Sequence, residues 1–422
     1  MNFSEILDTL EDAIIQKPPF CTGTVPLASN DAILFYRRGE NAEWIDLARA
    51  TETKLEALSE ACEPATFGLD QVDVLDESYR KAGKMDTENF AMNFDIDKLR
   101  IVDYVREQLL DGADEGKVLK AELYKLNVYM KDSFFKTHKD TPRGDTMFGS
   151  LVVAFPTLHE GGALVLRHDD QEWTFDSASL TREQAEPSVA YIAFFSDIDH
   201  EVTLVTSGYR VTLTYNLYLG NKTSQEDLPS SITPVVPDDH RLHAALSTAL
   251  SNPTFLPKGG YLGFGLSFKY PINQTSKRTG LSAAILKGSD AVIDRVCRQL
   301  SLTTSLNVVY TEGDTQILVP AEELLSGDEF DDDILSILCE DYEGKVIREI
   351  GKDARTSSYN ELYGQPVIRL AWVTALTGYS TFKKSYVAYG NQAMPGCMYG
   401  DLCLAVRVGP FGRRESPDSD SE

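Results

Sequence analysis

Between residues 121 and 219 the chain is built from short segments rich in Val, Leu, Tyr, Phe and Thr. They are AELYKLNVYM, GSLVVAFPT, GALVLRH, EWTFD, VAYIAFFS and YRVTLTYNLYL, with Gly and Asp between them. Such side chains suit a pleated, half-buried surface, and the punctuating residues suit turns. Strands this short and this closely spaced point to an antiparallel sandwich or barrel. Alternation within two of them indicates what the walls enclose. Tyr124, Leu126, Val128 and Met130 make an apolar face, while Lys125, Asn127 and Tyr129 make a more polar one. In the last strand Arg210, Thr212 and Thr214 oppose Tyr209, Val211, Leu213 and Tyr215. A barrel with these walls has a partly polar interior, as a ligand cavity requires.

The flanks differ in texture. Phe3, Ile6, Leu7, Leu10 and Ile14 fall at helical spacing, with Ser4 as the expected cap and Pro18-Pro19 as the stop. Helices are also expected over 51–63 and 96–110, and a strand over 32–36. Residues 220–240, with three prolines, read as a linker. Beyond it, Leu266–Tyr270 and the runs at 306–310, 367–376 and 402–408 look like strands, and Asp290–Leu300 like a helix. The acidic cluster at 328–333 reads as a solvated loop or helix start. The tail RRESPDSDSE reads as disordered.

Charge and cysteine usage exclude several classes. The 422 residues include 40 Lys+Arg against 65 Asp+Glu, a formal net charge of −25. Phosphate contacts need a local cationic surplus, so nucleic-acid binding is not expected, and neither is attachment to anionic membranes. A cationic protein substrate, or a small molecule entering a deep pocket, is more compatible. The start MNFSEILDTLEDAIIQK lacks a basic region ahead of an apolar one, and no apolar run is long enough to span a bilayer. An intracellular protein, cytoplasmic or nuclear and not secreted, is therefore expected. Its six scattered cysteines then read as free thiols.

The chemistry concentrates on few residues. In an extended chain His138 and Asp140 point the same way, so they can offer an imidazole and a carboxylate to one metal. His200, just after the apolar strand Val189–Phe195, is the natural third ligand. Two His and one carboxylate hold one face of an octahedral ferrous ion and leave the opposite face open. Ten residues on, Arg210 stands in an otherwise apolar strand and needs a partner if enclosed. A guanidinium beside a hydroxyl suits a small dicarboxylate, which it grips with a bidentate fork. A second His-x-Asp, His168-Asp169-Asp170, sits where a hairpin turn is expected and reads as a solvated turn. His159 reads as a loop residue, and His240 and His243 as lying on a surface helix.

These residues carry a resemblance. Tyr-x8-His-x-Asp, a distal His, and an Arg ten residues later resemble the Fe(II)/2-oxoglutarate-dependent dioxygenases. The likeness is greatest to the prolyl 4-hydroxylase type found in large fungal proteins. The stretch YKLNVYMKDSFFKTHKD is similar to the family's first strands, and AFFSDIDHEVTLVTSGYRVTLTYNL to its last. The resemblance implies an α+β chain with a double-stranded β-helix, or jelly roll, at its centre. Its metal ligands would be His138, Asp140 and His200. Arg210, Tyr129 and Thr212 would hold the co-substrate 2-oxoglutarate. Ascorbate is a further expected cofactor and O₂ a partner. The activity implied is hydroxylation of a protein side chain or a small molecule, with release of succinate and CO₂. Prolyl 4-hydroxylases usually carry Lys where this chain has Arg210, so the enzyme class is the better-supported label. Two alternatives stay open: a non-catalytic jelly-roll binding or scaffold protein that keeps the metal site, and a metal hydrolase using the same triad. The expected organisation is a mostly helical support region over 1–118, the dioxygenase core over 119–220 and a linker over 221–240. A mixed α/β non-catalytic region follows over 241–412, then a disordered acidic tail over 413–422.

Overall fold

A computed structural model describes residues 1–14, 17–69, 72–110, 117–141, 143–144, 146–221, 239–270, 286–322, 329–331, 334–351, 365–389 and 393–414. Most of the expected linker and tail lies outside them. The chain divides into two compact units. One gathers residues 18–109 and 115–234; the other gathers 1–17, 110–114 and 235–422.

The first unit is mostly strands. Eight of them, here β1 to β8, are Lys117–Tyr129, Phe134–His138, Met147–Ala154, Leu164–His168, Gln171–Phe175, Ser188–Phe195, Asp199–Val202 and Arg210–Asn221. One sheet runs β6-β3-β8-β1 and the other β5-β4-β7-β2, and every one of these pairings is antiparallel. Successive strands thus alternate between sheets, except that β4 and β5 form a hairpin within the smaller one. The larger sheet is buried on both faces: every residue of β6 is buried, and so are Val211, Leu213 and Tyr215 of β8. A helix over Ile101–Leu109 supplies part of its outer cover through Ile101, Val102, Val105 and Leu109.

Residues 18–109 are not mostly helical. Phe20–Pro26, Gly83–Asp86 and Glu63–Pro64 extend the larger sheet, and Arg80–Lys81 extends the smaller one. Strands this short carry too few residues to show a period; the edge they pair with defines them. The first helix, Phe3–Ala13, groups with the second unit. Its cap is Asn2 rather than Ser4, and a reciprocal pair of hydrogen bonds joins Asn2 to Glu5.

In the second unit, strands Gly260–Gly265, Val367–Thr374, Lys345–Glu349, Thr315–Pro320, Thr303–Glu312 and Ala393–Val408 pair in that order. The first also pairs with the last, which closes a ring. Val309, Leu318, Leu370 and Cys403 pack in its core. The strand expected at Leu266–Tyr270 is irregular, because Ser267 N and Tyr270 Oη donate to the buried Asp290 carboxylate instead. The expected helix there runs Gly288–Gln299. Within the acidic cluster, Glu329–Asp331 is a short strand rather than a loop. Among the described residues no helix is long and apolar enough to cross a membrane.

Candidate metal centre and its cavity

The centre forms where β2 and β7 pair. His138 ends β2 and stands directly across from His200, with ring centroids 4.2 Å apart. Asp140 follows two residues later, and its Oδ1 lies 3.7 Å from His200 Nε2. One ligand atom from each of the three falls within 4.8 Å of the others, so together they could hold a metal ion. The first ligand bears on its own strand. His138 Nδ1 is 2.8 Å from Lys136 O, and His200 Nδ1 is 3.0 Å from Ile198 O. A carbonyl can only accept, so each ring carries its proton on Nδ1 and leaves Nε2 with a free lone pair. Asp140 Oδ2 accepts from Ser150 Oγ at 2.6 Å, which fixes that carboxylate and keeps Oδ1 toward His200. Phe135 stacks on His138 at 3.5 Å and Phe194 lies 4.7 Å from His200. Burial and the neighbouring His200 push His138 far below the usual imidazole range, so it is neutral, as a metal ligand must be.

A cavity of about 400 Å³ opens on these residues and is lined from both sheets. Its wall also carries Arg210, which is 1% exposed. Arg210 stands across from Tyr129 in the β1–β8 ladder, with its guanidinium carbon 5.4 Å from the Tyr129 ring centre. Arg210 Nε donates to Ser177 Oγ at 3.4 Å, and Nη2 has no acceptor among the described residues. Thr212, also 1% exposed, lines the same wall. Behind Arg210 the buried His159 reaches Ser177 Oγ at 3.5 Å through Nε2 and Thr157 O at 2.7 Å through Nδ1. Burial, with a smaller contribution from Arg210, holds the His159 imidazole down to about 4, so it adds no second charge at neutral pH. Gly162 allows this packing. It has φ +68°, and a Cβ there would meet Val205 Cγ2 at 2.7 Å and Arg210 Cδ at 3.0 Å.

No family model and no curated protein matches the chain. Solved structures do. A Pseudomonas putida prolyl-4-hydroxylase is 19% identical over 50% of this chain and 98% of its own, with a TM-score of 0.30. An oxidoreductase of the 2OG-Fe(II) oxygenase family from Burkholderia pseudomallei is 17% identical over 53% of this chain and 93% of its own, with a TM-score of 0.25. A Trichoplax adhaerens prolyl hydroxylase, solved with a hypoxia-inducible-factor degradation-domain peptide, is 14% identical over 51% and 91%, with a TM-score of 0.30.

All six residues singled out from the sequence line this one cavity: His138, Asp140, His200, Arg210, Tyr129 and Thr212. The rival His168-Asp169-Asp170 forms a tight hairpin turn, with Asp169 and Asp170 at positive φ. His159 is no loop residue: it opens the strand His159–Gly161 and is buried behind Arg210. No spacing signal marks His159 or Ser177, because they join the site through strand pairing far along the chain. Tyr124 also departs from expectation. A register shift between Leu123 and Lys125 breaks the alternation of β1, so Tyr124 and Lys125 both line the cavity.

Proposed function

We propose that the first unit is a double-stranded β-helix that works as an Fe(II)- and 2-oxoglutarate-dependent dioxygenase, hydroxylating a protein side chain or a small molecule. The strand order β6-β3-β8-β1 over β5-β4-β7-β2 supports the fold. The observation that carries the activity is the pairing of two features in one cavity. One is a His-Asp-His set with both Nε2 atoms free; the other is a buried guanidinium with an unused donor. A metal hydrolase would have no use for Arg210, whereas a dicarboxylate co-substrate supplies the carboxylate that its fork lacks.

His138, Asp140 and His200 would hold the metal on one face and leave the other to ligands from the cavity. Arg210 would grip the distal carboxylate, with Tyr129 and Thr212 beside it. Ser150 fixes the Asp140 carboxylate and would keep it available to the metal, and Lys136 O and Ile198 O keep the two imidazoles in the tautomer that could ligate one. With metal and 2-oxoglutarate bound, the group would supply oxidative decarboxylation to succinate and CO₂ coupled to hydroxylation.

Purified protein given Fe(II), 2-oxoglutarate and O₂ should release succinate slowly without added substrate. His138→Ala and Asp140→Ala should each lower that release by about 100-fold or more, since each removes a metal ligand. Unchanged release in both variants would refute the assignment. Metal-dependent thermal stabilisation with no succinate from the wild type would point instead to a binding protein.

A further inference from the structure

Beside the metal centre the cavity wall carries two more buried cations, and Arg210 is not one of them. Arg80 is 8% exposed and Lys125 6% exposed, and both line the cavity. Arg80 is braced in place: Nη1 donates to Thr66 O at 2.6 Å and Nη2 to Asn127 Oδ1 at 2.9 Å. Asn127 is held in turn by donating to Thr214 Oγ1 at 3.0 Å. Both acceptors of Arg80 are neutral, and its Nε has none among the described residues. The Lys125 ammonium has no hydrogen bond or ion pair among the described residues; it lies 3.9 Å from the Tyr124 ring centre. Arg143 sits over the same ring and donates to Tyr124 Oη, adding a third positive group at this wall.

The described carboxylates nearby have other hydrogen-bond or ion-pair partners. Asp140 faces His200 and accepts from Ser150; Asp86 pairs with Lys84 at 3.0 Å; Asp76 is exposed and accepts from Ser78 N. Asp86 stands opposite Lys125 in the ladder and attracts it, but among the described residues neither Lys125 nor Arg80 has a carboxylate within ion-pair distance. Two buried like charges without a paired carboxylate are costly, which a protein tolerates when an anion arrives to pair them. The spacing suits this. Lys125 and Asn127 are two apart on one face of β1, so Lys125 and the Asn127-bound Arg80 stand side by side. Arg80 also lies 4.4 Å from the Phe135 ring, which stacks at 3.5 Å on His138. An anion held here would sit one side chain away from a metal ligand.

We infer that Arg80 and Lys125 form a second anion subsite, distinct from Arg210, which binds a carboxylate or phosphate group on the substrate. This rests on the dioxygenase reading for the word substrate but not for the binding. Of the two kinds of substrate expected from the net charge of −25, a cationic protein or a small molecule entering a deep pocket, it disfavours the first. The surface is acidic, whereas this wall of the cavity is basic. An acidic side chain in a peptide and a small organic acid share the carboxylate chemistry, and a phosphorylated substrate would offer phosphate.

The test is calorimetric titration of the full chain preloaded with Mn(II) and N-oxalylglycine, which occupies the Arg210 end. N-acetyl-aspartic acid amide and inorganic phosphate are the two probes, and the tighter one names the group. At least one should bind saturably, and Arg80→Gln and Lys125→Gln should each weaken it by about tenfold or more while retaining N-oxalylglycine binding. If one variant does not fold, the other decides. Absence of probe binding to the loaded wild type overturns the subsite, as does equal binding by the variants. Displacement of the probe by N-oxalylglycine also overturns it, since both would then share Arg210. If Mn(II) and N-oxalylglycine themselves fail to bind, the dioxygenase reading fails. Titration of the unloaded chain, with the same two variants, then decides the subsite alone.

Discussion

At Arg210 a guanidinium lies 1% exposed, with Ser177 Oγ as its hydrogen-bond acceptor and Nη2 idle. Burial lowers its affinity for the proton relative to an ordinary arginine, although at this basicity it remains charged. The folded protein thus bears a buried charge attracted by Tyr129 and Asp176 but with no carboxylate on its fork among the described residues. Two consequences of opposite sign follow for Arg210→Met. The variant should unfold at a temperature equal to or above that of the wild type, because a buried unpaired charge is replaced by an apolar side chain of similar length. Its KM for 2-oxoglutarate should rise by about 30-fold or more, measured as succinate release, through loss of the charge-assisted pair. Ser177→Ala should raise the same KM only severalfold, since it leaves the charge and removes one support. Arg210 and the triad could be picked out of the sequence because each is a rare residue type in a strand or turn where its chemistry is conspicuous. His159 and Ser177 could not, since nothing local distinguishes them from any buried His or Ser.

Strand geometry decides which side chains face the cavity. The alternation read from β8 holds from Arg210 to Asn216, and Arg210, Thr212, Thr214 and Asn216 all line it. In β1 the irregularity at Tyr124 places two adjacent residues on the same side, which no strict period anticipates. It also creates the Tyr124–Lys125–Arg143 group at the basic wall. The turn entering β4 imposes a comparable constraint. Gly162→Ala would place a methyl group at positive φ, against Val205 and the Arg210 stem. We expect a loss of about 1–3 kcal/mol in denaturant unfolding and a higher KM for 2-oxoglutarate, because the strained turn and the displaced Arg210 are one event. An unaltered KM with reduced stability would show that Arg210 is held independently of the turn.

Across the whole molecule, buried Lys125 in the first unit and buried Asp290 in the second make stability depend on pH in opposite directions. In the first unit, burial, with Arg80 and Lys84 nearby, lowers Lys125 to about 8. Between about 8 and the ordinary lysine value the unfolded chain holds a proton that the folded site has released. This residue therefore adds stability as pH rises through that window, and the contribution is lost as pH falls through 8. The difference in unfolding free energy between wild type and Lys125→Met should shift in favour of the wild type from pH 7.5 to 10.5, by on the order of 2 kcal/mol. Taking the difference matters, because burial pushes the thiols of Cys21, Cys62 and Cys297 up to about 12, and they act oppositely above their ordinary range. In the second unit burial raises Asp290 to about 7, against the opposing hydrogen bonds from Ser267 and Tyr270. The folded state keeps its proton where the unfolded chain has lost it, so this contribution is complete below about pH 4 and lost as pH rises through 7. Asp290→Asn should flatten the pH 4–7 part of the stability curve, by on the order of 1–3 kcal/mol over that span.

The sequence by itself determined the β class of residues 121–219, the inward face of β8 and four of the residues that meet at the cavity, His138, Asp140, His200 and Arg210, while Tyr129 and Thr212 were implied by the family resemblance. It could do so because strand parity is local and because a His-x-Asp and a lone Arg in apolar strands declare their need for partners. It also anticipated helices over Phe3–Ala13, Glu52–Glu60 and Ile101–Leu109, each bearing its apolar stripe at a regular spacing. Only the tertiary structure decided which strands pair, that residues 18–109 extend both sheets, and that the first helix groups with the chain beyond 235. It alone set His159 and Ser177 behind Arg210, and Arg80 beside Lys125. Those choices rest on contacts between residues tens of positions apart, whose energy is that of burial and pairing against a particular neighbour rather than a property of any local segment. The same distinction separates the two views of charge. The −25 is a sum over the sequence, whereas the basic wall exists only because folding buries Arg80 and Lys125 together and turns the nearby carboxylates to other partners.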